Sequence, residues 1–146
     1  MHCAAHKLSL AASQAGDGVP YVKKFKDILR KLYDFFDNSS VRTAGLGAVQ
    51  ELLNDPKLKL LQPSSTRWLS VGNAVKRLKD IFASVVISLG REAEERHHVT
   101  AAALHHIVTE YNFVDTMLLF CDVLPTVNRL SLLFQAEWID FNSVAS

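Results

Sequence analysis

Apolar side chains recur along this chain every three or four residues, the period of a helix with one face turned inward. From Val22 the stripe runs through Phe25, Ile28, Leu29, Leu32, Phe35 and Phe36, with Lys23, Lys26 and Arg30 opposite. Asp27 stands four residues before Lys31, the favourable order for a helical ion pair. Pro20 suits the first turn of this helix, and Asp37-Asn38 ends it. Ser39 or Ser40 then caps a helix through Leu53, weakened by Gly45 and Gly47 and broken by Asn54-Asp55-Pro56. Residues 57 to 65, with Pro63 and two serines, read as a short turn of helix and a loop.

Thr66 is placed to cap the most regular element. Trp68, Val71, Val75, Leu78, Phe82, Val85 and Leu89 predict one long helix with a buried face. Gly90 and the charged run Arg91 to Arg96 mark its exposed end. A further stripe follows in Leu104, Ile107, Tyr111, Val114, Leu118 and Cys121. Pro125 interrupts it, and Val127, Leu130, Phe134 and Trp138 resume it. Upstream, the Ala- and Leu-rich stretch from Cys3 to Ser13 reads as a helix stopped by Gly16-Asp17-Gly18. Nothing alternates apolar and polar residues over a strand length. Val85-Val86-Ile87 is β-branched but lies inside a helical stripe, where packing overrides propensity. The expected fold is all-α, a helical bundle with roughly three quarters of its residues in helices.

Composition narrows the class. The chain's 146 residues suit one domain, with 49% hydrophobic and 21% charged residues as in a water-soluble protein. No uninterrupted apolar run approaches 18 residues, and the start lacks the pattern of a signal peptide, so no membrane partner is expected. Cys3 and Cys121, at opposite ends, fit a reducing compartment, nucleus or cytosol. The net charge of +1 conceals polarity: residues 20–79 hold twelve Lys or Arg against five acids, residues 80–146 three against nine. The first stretch suits phosphate contacts that are weak and salt-sensitive; the second opposes them.

Candidate chemistry is sparse. Cys3-x-x-His6 has the spacing of half a zinc site, but no second pair completes four ligands, and a helix start is the plainer reading. His97, His98, His105 and His106 lack the four-residue spacing of helical metal pairs. No metal, cofactor or catalytic residue is assigned, and no nucleophile elbow or phosphate loop is present. Thr66-Arg67-Trp68 is different. An Arg at a helix start reaches phosphates, and a Trp offers a stacking face to an unpaired base. Periodicity gives Trp68 a competing role as the first knob of the buried stripe.

Taken in order, Cys3-Ala-Ala-His6-Lys-Leu-Ser-Leu, Tyr33-Asp-Phe-Phe-Asp-Asn-Ser and Ser65-Thr-Arg-Trp-Leu-Ser70 closely resemble the hAT superfamily of DNA transposases. Val19-Pro-Tyr21, Tyr111-Asn-Phe-Val114, Asp122-Val-Leu-Pro125 and Leu130-Ser-Leu-Leu-Phe-Gln135 extend the likeness over the whole chain, most closely to transposon-derived zinc-finger proteins of vertebrates. The resemblance implies part of a ribonuclease H-like transposase: residues 1–18 as a helix left from the nuclease core, and 19–146 as its helical insertion. It implies that Cys3 and His6 form a structural motif, and that Arg67 and Trp68 meet transposon-end DNA. It also puts both catalytic aspartates before Met1 and the glutamate after Ser146. The abrupt ends fit a piece of a longer chain that cannot cut DNA by itself.

Two functional expectations follow. The helical region packs the nuclease core of its parent protein and positions DNA ends, or it is a domesticated scaffold that binds proteins and no nucleic acid. Exposure of Arg67 and Trp68 separates them. Apolar residues of the first helix, Leu8, Leu10 and Ala11, are expected to be partly exposed, which favours self-association.

Overall fold

The computed structural model describes residues 14, 16, 18–64 and 67–145, so Cys3, His6, Thr66 and nearly all of the expected first helix lie outside the described residues. Six helices are bounded within the described residues: α1 (Pro20–Asp37), α2 (Ser40–Leu52), α3 (Trp68–Asp80), α4 (Phe82–Glu95), α5 (Val99–Val108) and α6 (Tyr111–Ala145). Among the described residues there is no strand. The architecture is a helical bundle, α4 lying against α5 and α2, and α3 against α6.

Local chemistry explains most boundaries. Pro20 opens α1, where a missing N–H costs no helical bond, and the Asp27–Lys31 pair forms at 2.9 Å on its outer face. Ser39 caps α2, its Oγ accepting from the Arg42 N–H at 3.3 Å. Asn54 ends α2 in the left-handed region, φ 54°, while the Asp55 and Asn54 N–H groups donate to the carbonyls of Gln50 and Glu51. That is the paired closure that suits Asn or Gly after a helix.

Phe25, wholly buried in α1, contacts the rings of Phe113 and Phe120 at 5.0 and 5.1 Å. Around these lie Leu32, Val71, Val75, Leu78, Ile81, Val85, Leu89 and Val108, each at most 1% exposed. The expected α1 stripe is the observed one.

Other expectations need correction. Residues 55–64 hold no turn of helix; this stretch is pinned by side chains from elsewhere. Gln50 Nε2 donates to the Leu58 carbonyl at 2.8 Å, an Arg77 guanidinium N–H to the Lys59 carbonyl at 2.8 Å, and Ser84 Oγ to Asp55 Oδ2 at 2.5 Å. The long helix expected from Trp68 to Leu89 is interrupted at Ile81 (φ −119°, ψ 20°), which is fully buried, while Phe82 packs half-buried against the core. Gly90 does not itself end α4, which continues to Glu95 and ends within the largely exposed charged run. The chain turns at His97, whose φ is 52°.

The stripe expected from Leu104 to Cys121 is split at Thr109-Glu110, and the second helix starts in a new phase. Phe113, Met117 and Leu124 point inward, whereas Tyr111 and Leu118 are exposed. Pro125 does not break α6, which continues through it for 35 residues in all. Leu130 and Phe134, expected inside, are exposed. By length and composition the stretch Tyr111–Phe134 is apolar enough to cross a membrane, although Asp115, Asp122 and Arg129 punctuate it and Phe113, Met117 and Leu124 bind it to the bundle.

Candidate nucleic-acid interface

Arg67 and Trp68 sit where an extended segment enters α3. Arg67 is the residue before the helix, φ −127° and ψ 114°, and its carbonyl accepts from the Val71 N–H at 3.2 Å. Its own side chain does not cap α3, and it is exposed. The entry is fixed by Ser70, whose Oγ accepts from the Ser64 N–H at 2.8 Å and donates to the Gln62 carbonyl at 3.2 Å. Ser70 closes the Ser65-to-Ser70 motif, and its spacing gave no sign of this structural role. Residues 62–64 and Arg30 of α1 line an open, polar notch beside this entry.

Trp68 turns the other way, because it begins the α3 stripe that continues through Val71, Ala74, Val75 and Leu78. It is only 7% exposed. The Phe120 ring meets it edge-on at 6.0 Å between centroids, and the Lys26 ammonium lies 4.5 Å from the centre of its ring. Gly16 approaches the ring so closely that a Cβ there would stand 2.8 Å from Cζ2. Its Nε1 is buried and finds no hydrogen-bond acceptor among the described residues. Buried against Phe120, Lys26 and Gly16, the indole offers no open platform on which a base can stack. The motif is thus divided, Arg67 facing solvent and Trp68 facing the core.

In the basic half, the cations Lys23, Lys24 and Arg30 are exposed. Lys31 and Lys57 are tied to Asp27 and Glu51, the latter at 3.2 Å. In the acidic half, Arg91 and Arg96 pair with Glu95 and Glu92 at 3.3 and 3.6 Å. The described ion pairs are therefore local to each half, and the halves meet chiefly through apolar packing, α3 on α6 and α2 on α4 above all, with the Ser84–Asp55 and Arg42–His98 hydrogen bonds beside it.

The histidines disperse. His98 caps α5, its Nδ1 near the Ala101 N–H at 3.4 Å, with an Arg42 guanidinium nitrogen 3.1 Å from its Nε2 and the Phe35 ring edge-on. His105 packs against Gly90, and His106 lies 3.5 Å from Glu110. Among the described residues no three of His, Cys, Asp and Glu gather closely enough to hold a metal ion. Cys121 is a half-buried free thiol; burial raises its pKa and nearby Lys79 opposes the rise. Compared with known protein families, curated proteins and solved structures, the chain matches none.

Proposed function

We propose that this chain is the catalytically incomplete helical region of a hAT transposase-like nuclear protein, acting as a protein-interaction scaffold that packs against the rest of its parent. The observation that carries this reading is the burial of Trp68, the residue a flipped or unpaired base would need. A base could stack on the indole only after Phe120 or the Gly16 contact gave way, at the expense of the core. The family resemblance supplies the parent; it rests on the ordered motifs and assigns no catalytic acid to this chain. A second reading, in which the region positions DNA ends, draws on Arg67, which stays exposed at the entry to α3.

Titration of hairpin, single-stranded and duplex DNA at two salt concentrations, with the unmodified chain and with Arg67→Ala, separates the readings. The scaffold reading expects both proteins to bind all three DNAs alike, weakly and with a steep loss as salt rises, since only exposed lysines and arginines contribute. A severalfold loss confined to hairpin and single-stranded DNA in Arg67→Ala overturns it in favour of DNA positioning.

A further inference from the structure

We infer that the outward face of α6 is a homotypic interface, which pairs with α6 of a second copy of this chain in antiparallel orientation. Leu119, Val123, Thr126, Leu130 and Leu133 follow one another at intervals of four, three, four and three residues, and all five are exposed. The four apolar ones are between 42% and 55% exposed. That spacing is the seam of a two-helix coiled coil, with Val123 and Leu130 at one core position of the heptad and Leu119, Thr126 and Leu133 at the other. The seam is separate from the face that carries Phe113, Met117 and Leu124 into the bundle.

Charge selects the occupant and its direction. Between Thr116 and Ala136 the only charged residues are Asp122 and Arg129, opposite in sign and seven residues apart. Both are exposed, and neither has an ion-pair partner among the described residues. On a single helix they stand about 10 Å apart along the axis, too far to reach each other. In heptad terms both occupy the same flanking position, just before Val123 and Leu130. In an antiparallel pair this position faces its own equivalent on the partner, so Asp122 meets Arg129 and Arg129 meets Asp122, giving two equal ion pairs about a twofold axis. The same register sets Leu119 level with Leu130 and Val123 level with Thr126. A parallel pair would instead place the two charges against Val127 and Phe134, and a bilayer would bury both without a partner. A second copy, running the other way, is the arrangement that satisfies seam and charges together.

The inference deepens the scaffold reading by naming a partner, and it is tested without DNA, so either can fail alone. Sedimentation velocity over a hundredfold range of concentration should show a reversible monomer–dimer equilibrium. Asp122→Arg or Arg129→Asp alone turns both ion pairs into like-charge contacts and should weaken dimerisation about tenfold. The double swap Asp122→Arg with Arg129→Asp should restore it. Circular dichroism should show each variant folded, since both sites are exposed. Three results would overturn the inference: a monomer at every concentration, single swaps that leave the equilibrium unmoved, or a chain that floats with phosphatidylcholine vesicles.

Discussion

At Trp68 the side chain contacts Phe120 and Gly16 and lies under the Lys26 ammonium, so its removal leaves a hole that its neighbours cannot close. Trp68→Ala is therefore expected to cost about 3–5 kcal/mol, and Trp68→Phe distinctly less because a ring remains against Phe120. Midpoints of guanidinium unfolding measure both. A Trp68→Ala chain as stable as the original would show that the indole is not part of the core. The periodic stripe already marked Trp68 as a core position, and the packing bears out that half of its reading. Ser70 was invisible, because its two hydrogen bonds go to backbone groups whose positions depend on the path of residues 55–64. His98 is a similar case: its capping role depends on His97 adopting positive φ, which sequence spacing does not signal.

Within α2, Gly45 and Gly47 weaken a helix that nothing forces to contain them, for a Cβ at either position meets open space. Gly45→Ala and Gly47→Ala are each expected to raise stability by up to ~1 kcal/mol, read from thermal or chemical unfolding. Gly72 in α3 is the contrast. A Cβ there would come within 3.1 Å of Asn128 Nδ2 and 3.4 Å of Leu124 Cβ, so crowding against α6 offsets the same gain in helix propensity. A stabilising Gly72→Ala equal to Gly45→Ala would contradict that contact. Elements with an unbroken period, α1 above all, were legible in sequence. The inward face of α4 also follows the expected stripe, with Val85 and Leu89 fully buried although Ile81 interrupts the helix. The face of α6 differs because the two-residue interruption at Thr109-Glu110 resets the phase of the stripe without any Gly or Pro to announce it. Pro125 misled in the opposite direction. The loss of one hydrogen bond and the ring's clash one turn back are tolerated inside a helix that Met117 and Leu124, both before the proline, anchor to the bundle.

For the molecule as a whole, stability is unevenly spread. The first half of α6 is held by Phe113, Met117 and Leu124, while Leu130, Leu132 and Leu133 beyond Pro125 are exposed. Amide hydrogen exchange in dilute solution should accordingly be slow at residues 117–121 and fast at 130–134. At concentrations where the chain dimerises, the second segment should gain protection while the first changes little. Equal protection along the helix in dilute solution would contradict this division. The polarised charge seen in sequence does not become a web of ion pairs between the halves; the described pairs stay local, and apolar burial joins the halves instead. The 35-residue α6 also has a mechanical consequence. At 1.5 Å per residue it extends about 52 Å, nearly twice the length of α1. Twenty of those residues, about 30 Å, lie beyond Pro125, where the helical ladder lacks a rung. A swing of about 10° at that point carries the far end through about 5 Å, so α6 acts as a lever: small bends beside the anchored half become large displacements at its tip.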